Sequence, residues 1–155
     1  MGDSLIKCVF REDVAGLQKR LRKRADTEEA DEDRRTPLIH AAIDNKQQMA
    51  TILLDSGANV NAQDQLGNSA LHYAANGWFV EMTRLLISHG ANLELEDHHG
   101  NTPLSNAVFN SRGREDVIRV LVEAEADKNH RNRHGVSPLE LARSIGNFDV
   151  AQFLE

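Results

Sequence analysis

The sequence predicts an all-α solenoid of about five helix-turn-helix units joined by polar, glycine-containing turns. Three observations carry that expectation. One short string returns along the chain: TPLIHAA from Thr36, SALHYAA from Ser69, TPLSNAV from Thr102 and SPLELAR from Ser137. Its leucines, Leu38, Leu71, Leu104 and Leu139, are spaced by 33, 33 and 35 residues, and a fixed period of this length marks a repeat architecture. Later landmarks keep the same offsets: SGANV at 56–60, HGANL at 89–93 and AEADK at 124–128, then DQLGN at 64–68, DHHGN at 97–101 and NRHGV at 132–136. Finally, no unit buries its own apolar face, so the units must stack.

The elements follow in order. Stepping back one period from Leu38 reaches Leu5 in DSLIKCV, and the same step gives KRADT at 23–27. Residues 1–30 thus form a first, atypical unit that lacks Thr-Pro; Arg34 follows where the other fingers have glycine. The units at 31–63 and 64–96 are regular. Ser or Thr caps the first helix and proline suits its first position. Leu71, Ala74 and Ala75 share one helical face, and the small alanines admit a close second helix. MATILLDSG and EMTRLLISHG read as second helices, ended by Gly57 and Gly90 in a left-handed conformation. In the unit at 97–131, Glu125 replaces that glycine, at a cost of about 1 kcal/mol. The same unit holds two extra residues near Asn110–Gly113. The last unit, 132–155, stops after its second helix and reads as a cap. The five tile residues 1–155 as a single repeat domain.

Composition narrows the function. Of 155 residues, 40% are hydrophobic and 27% charged, which fits an ordered, water-soluble chain. The net charge of −6 disfavours nucleic acid as a ligand, because phosphate binding needs a basic surface; it permits a basic protein partner. The single Cys8 cannot form an internal disulfide, so a reducing compartment is expected. No apolar run is long enough to span a membrane. The N-terminus MGDSLIKCVFREDV carries charges where a signal peptide needs an apolar stretch, and Ile6 stands where a myristoylation motif at Gly2 needs Ser or Thr. A cytoplasmic protein that is a monomer when free, with no membrane and no nucleic acid partner, is the expectation.

These motifs resemble the ankyrin-repeat family: the T-P-L-H-x-A-A string, the 33-residue period and the G-A-N-V-N segment together are highly specific. The resemblance covers nearly the whole chain. It implies an ankyrin-repeat solenoid of helix pairs in an L-shaped stack, β-hairpin finger loops projecting from one side, first helices lining a concave face, and a role in protein–protein recognition. It also implies that His72, at the motif histidine, makes a structural hydrogen bond within its repeat.

Internal comparison of the units singles out a surface. The position after the motif histidine site reads Lys7, His40, Tyr73, Asn106 and Leu141. Buried scaffold would not vary in this way, so the row is expected on the groove. One turn on lie Phe10, Ile43, Asn76, Phe109 and Ser144, and beside them Arg11, Asp44, Gly77, Asn110 and Ile145. Asn76-Gly77 reads as the start of a tight turn, and Trp78-Phe79 stands where family repeats usually have glycine-histidine. Five of the seven aromatics, Phe10, Tyr73, Trp78, Phe79 and Phe109, therefore fall on or beside one surface, and aromatics dominate interface hot spots. Two readings compete for Trp78 and Phe79: anchors for a partner, or packing residues that join neighbouring turns. The longer turn would project Arg112 and Arg114 beside Trp78, either as a binding insertion or as a tolerated extension. Leu66, His98, His99 and Arg133 sit on the fingers as further partner contacts. The first finger region, TEEADEDRR, is acidic and the last, KNHRNRHG, is basic, a polarity that can orient a partner or simply aid solubility.

Catalysis is not expected. The motif histidine is replaced by Ile39, Ser105 and Glu140 in other units, and no P-loop, G-x-S-x-G or H-E-x-x-H is present. His98-His99 and His130/His134 lack the companion ligands of a metal site, so neither metal nor cofactor is expected; Cys8 reads as a small buried residue. The last two units are similar to small bacterial stand-alone ankyrin-repeat proteins, some of which are toxin-immunity proteins. That resemblance implies an inhibitor that binds and neutralises a cognate toxin domain, a basic one by charge. The alternative is an adaptor that links cellular proteins.

Overall fold

A computed structural model describes residues 4–146 and 148–155; Gly2 lies outside the described residues. Ten helices occur among them: α1 (Leu5–Arg11), α2 (Val14–Arg22), α3 (Pro37–Ile43), α4 (Gln47–Asp55), α5 (Ala70–Asn76), α6 (Val80–Ser88), α7 (Pro103–Phe109), α8 (Asp116–Glu123), α9 (Pro138–Ser144) and α10 (Phe148–Leu154). They form five antiparallel-type pairs. The first helices α1, α3, α5, α7 and α9 pack in a row, and α4, α6 and α8 form a second layer behind them.

Local chemistry starts each first helix. Ser4, Thr36, Ser69, Thr102 and Ser137 are extended, and each side-chain oxygen accepts the backbone N–H three residues on. Such caps are each worth about 1 kcal/mol. Pro37, Pro103 and Pro138 open three of these helices, where a missing N–H does no harm. Among the later helices, α4, α6 and α8 have no side-chain cap bond. They are held by burial instead: Met49, Leu53, Met82, Leu86, Ile118 and Leu121 are all buried, each contributing about 1.5–3 kcal/mol. Leu5, Leu38, Leu71 and Leu104 run through the core as one row, and Leu139, at the end of the stack, is only half-buried.

The finger loops are tight turns. Among the described residues no strand forms; an isolated bridge, Gln63 to Ser69, is what remains of hairpin pairing. The reason is that one side chain closes each finger from inside. Oδ1 of Asp31 accepts from the N–H groups of Asp33 and Arg35. Asp64, Asp97 and Asn132 do the same at residues two and four further on. The outward groups bond finger to finger: Gln65 N–H to Asp33 O at 2.8 Å, His98 N–H to Leu66 O at 2.9 Å and Arg133 N–H to His99 O at 3.0 Å. This contact is close enough to require Gly100, where an added Cβ would lie 2.8 Å from Arg133 N.

The turn within each unit corrects one expectation. Gly77 is right-handed, with φ −81°; the left-handed residue is Trp78, with φ +61°. The equivalent positions are Glu12 (φ +54°), Asn45 (φ +53°) and Gly146 (φ +71°). The Phe79 ring fills the space beside Gly77: an added Cβ would lie 2.4 Å from it, so the ring would have to shift. The insertion in the fourth unit lies where the spacing placed it, since residues 110–115 separate α7 from α8 while residues 77–79 separate α5 from α6.

Candidate protein-recognition surface

Exposed apolar groups mark one side of the stack. Phe10 (52% exposed), Leu66 (56%), Phe109 (66%) and Ile145 (44%) are the large hydrophobics left in solvent among the described residues. All four lie on first helices, a first-helix cap or a finger, and none lies on a second helix. Phe109 and Ile145 share a shallow cleft of about 400 Å³ with Ser111, Arg112, Gly113 and Gly146. Beside it, the Asn110 amide donates to Asn76 Oδ1 and to Asn106 O. The structure thus brings Asn76, Asn106, Phe109, Asn110 and Arg112 together. Asp44 is exposed further along the same row, 3.4 Å from Lys46 Nζ. That lysine also caps the end of α1, donating to Val9 O and Phe10 O at 3.1 Å each.

Trp78 is half-buried rather than protruding. The Arg114 guanidinium carbon lies 4.7 Å from the centre of the Trp78 rings, so the inserted turn covers the neighbouring unit's tryptophan by a cation–π contact. Trp78 Nε1 is buried without a hydrogen-bond partner. Phe79 is the N-cap of α6, half-buried over Gly77. Both residues pack on turns, and each keeps part of its ring exposed.

His40 corrects the expectation for its row. It is 7% exposed, with Nε2 2.8 Å from Asp31 Oδ2 and Phe10 edge-on to its ring at 4.8 Å. Tyr73 OH donates to Asp64 Oδ2 at 2.5 Å, and its ring is half-buried. Both brace the second oxygen of a finger carboxylate, so two different donors serve one function in the second and third units. Partial burial pushes the Asp31 carboxyl up, but bonds from Arg35 N–H and His40 outweigh it and hold it below its ordinary value. Burial, then the bond to Asp64, raises the Tyr73 phenol. The closing row Asp31, Asp64, Asp97 and Asn132 was missed as such, although three of its members stand at aligned positions in DQLGN, DHHGN and NRHGV.

His72 joins units rather than serving its own repeat alone. Its Nδ1 accepts from Ser69 N–H at 3.1 Å, so Nε2 carries the proton and donates to Asn101 O of the next finger at 3.0 Å. Burial lowers its pKa, which keeps the ring neutral.

Leu66, His98, His99 and Arg133 are all exposed at finger tips. Several members of the two charged end runs have local partners, and Arg131 of the basic run is paired with a carboxylate. Glu28 and Glu29 accept from Asn59 N–H and Ile6 N–H. His130 lies 2.9 Å from Glu96, Arg131 makes a two-pronged pair with Glu140, and Lys128 donates to Glu155 O. Among the described residues no three His, Cys, Asp or Glu side chains are placed to hold a metal ion, and no helix is long and apolar enough to cross a membrane. Cys8 is buried.

Paired helices in two layers, with a row of closed fingers and a preformed face of side chains, define a helical-repeat recognition scaffold. The model for ankyrin repeats (three copies) matches residues 5–97 and 56–132, and the chain belongs to the ankyrin-repeat family. It is 41% identical over 116 residues to the B-cell lymphoma 3 protein homolog of Mus musculus, covering 75% of this chain and 18% of that protein. It is 33% identical over 127 residues to the ankyrin repeat protein FPV031 of fowlpox virus, covering 79% of this chain and 37% of that protein. A 38-residue stretch is 53% identical to the phosphocholine transferase AnkX of Legionella pneumophila, covering 24% of this chain and 4% of the enzyme. The chain thus spans well under half the length of these relatives. The family is a protein-interaction fold, and the chain is read as a protein-binding module.

Proposed function

We propose that the first-helix face takes up a protein partner. The contact would centre on Phe109 and Ile145, flanked by Asn76, Asn106, Asn110 and Arg112, with Leu66, His98, His99 and Arg133 reaching from the fingers. The observation that carries this is the confinement of exposed large hydrophobics to the first-helix and finger side. Apolar groups grouped on one face of a soluble protein mark an interaction site. A preformed stack binds with little backbone change, which lowers the ordering cost. In the finer form of the proposal the partner is a basic toxin domain, and the chain is a cytoplasmic immunity protein, monomeric when free. Its net charge of −6 supports that form. An adaptor linking two proteins needs a second face, and the exposed basic side of α2 supplies a candidate.

The test is capture of partners from the source cells by wild type, by Phe109→Ser/Ile145→Ser, and by Arg84→Ser on α6 as a control of the opposite side. Equal circular dichroism and melting temperature are required first. The double variant is expected to lose the partner at least about tenfold, as for loss of a hot spot, while Arg84→Ser retains it. A partner retained by the double variant sinks the surface. A partner that is not toxic when expressed alone sinks the immunity form.

A further inference from the structure

We infer that the outward side of α2 is a second binding surface, built for an acidic, apolar-tipped segment of a partner protein. Residues 19–24 read KRLRKR. Lys19, Arg22, Lys23 and Arg24 are exposed and Arg20 is half-buried, while Leu17 and Leu21 turn inward to the core. In a chain of net charge −6, this is a dense patch of one sign.

Helix-dipole stabilisation explains part of it, because Lys19, Arg20 and Arg22 lie in the last turn. It does not explain Lys23 and Arg24, which lie past the last helical residue. Arg24 moreover holds φ +60°, at the position occupied by Gly57 and Gly90 in the next two units. A bulky cation stands where glycine is favoured, as Glu125 does at the equivalent position of the fourth unit.

Among the described residues the acidic run that follows forms no ion pair with the patch, although its carboxylates, the exposed Glu32 among them, keep their charge. Asp26, Glu28, Glu29 and Asp31 accept backbone N–H groups, and Asp33 pairs with Arg35 at 3.3 Å. Among the described residues, none of the five cations forms an ion pair.

The chemistry of the patch favours one occupant. A cleft of about 470 Å³ between α2 and α4 is lined by Gln18, Leu21, Arg22, Ile52, Asp55 and Ser56, with the Asp55 carboxylate 3.4 Å from His89 Nε2. An apolar side chain fits against Leu21 and Ile52 while carboxylates meet the guanidinium and ammonium groups, with Arg22 suited to a two-pronged carboxylate contact. Long polyanions fit less well. Salt limits the patch's reach to about 8 Å, and beyond it a nucleic acid or a lipid surface meets a chain that is acidic overall. No exposed large hydrophobic lies on α2 to enter a bilayer.

The test uses the full chain and a fluorescein-labelled peptide of Asp and Glu around one central Leu, read by anisotropy at low and raised salt. Wild type is expected to bind this peptide and not its Lys-substituted counterpart. Lys19→Gln/Arg22→Gln/Lys23→Gln, with unchanged circular dichroism, is expected to bind about tenfold more weakly, since three surface pairs each contribute modestly. Phe109→Ser is expected to bind as wild type does, which separates this surface from the first-helix face. The inference is overturned if wild type does not bind at low salt, if the triple variant binds equally, or if Phe109→Ser abolishes binding. It is also overturned if an oligonucleotide or phosphatidylserine vesicles bind more tightly and displace the peptide.

Discussion

Two left-handed residues separate conformational strain from packing. Glu125 holds φ +70°, is exposed, and occupies the position of Gly57 and Gly90. Glu125→Gly should stabilise the protein by about 1 kcal/mol, read as a higher urea midpoint at unchanged slope. Trp78 has the same kind of backbone, but its ring is half-buried under Arg114. Trp78→Ala keeps the strain and loses the contact, whereas Trp78→Gly loses both. The glycine variant should therefore be the more stable of the two by about 1 kcal/mol, and equal midpoints would refute the strain argument. Glu125 was legible in the sequence because its aligned neighbours are glycines. Trp78 was not, because Gly77 just before it drew the turn to itself, although that glycine is right-handed and faces the Phe79 ring. The site was legible in part for a similar reason. Spacing put Phe109, Asn76 and Asn110 on one strip correctly, but it could not show that His40 turns inward to Asp31.

Helices and fingers are coupled through a few polar side chains, and His72 offers a pH-dependent probe of that coupling. It caps α5 through Ser69 and reaches Asn101 of the next finger. Its folded pKa is lowered by burial, so the unfolded chain takes up this proton first. Stability is then complete above the unfolded value, about 6.5. It falls as pH drops through that value and levels off below the folded pKa. His72→Gln should be less stable at neutral pH, yet lose less between pH about 7.5 and about 5.5 than wild type. Parallel losses in urea titrations would remove His72 from the acid sensitivity. Finger closure makes a separate prediction. Asp64 Oδ1 serves two N–H groups and Oδ2 serves Tyr73. Tyr73→Phe leaves a buried carboxylate oxygen short of a donor and should cost about 1–3 kcal/mol by thermal unfolding. The helices were legible from capping residues and periodicity, which act locally. The bracing of the closing carboxylates was not, because His40 and Tyr73 lie nine residues on from Asp31 and Asp64.

At the scale of the whole molecule, stability depends on contacts between adjacent units, and position in the stack decides how far a defect spreads. The central helix α5 packs on both α3 and α7, whereas α9 has α7 alone among the first helices. The end is tied down by α10 against α9 and by Arg119 of α8 lying 4.9 Å over the Phe153 ring. Leu71 on α5 and Leu154 on α10 are comparably buried, at 1% and 0% exposed, so each truncation to alanine removes similar apolar area, worth about 2–5 kcal/mol locally. Their consequences should differ, because a repeat stack behaves as a chain of nearest-neighbour couplings. Leu71→Ala weakens two interfaces and should lower amide protection from α3 through α8. Leu154→Ala weakens the last one and should expose α9 and α10 first, leaving α1 to α6 near wild-type protection. Hydrogen exchange read by mass spectrometry distinguishes the two. A uniform loss in both variants would mean that the stack unfolds as a single cooperative block. The outcome bears on recognition, because the Phe109–Ile145 cleft spans the join between the fourth and fifth units. If the end unit opens on its own, part of the proposed contact surface is in equilibrium with a frayed state. Partner binding should then raise protection in α9 and α10 above all other elements.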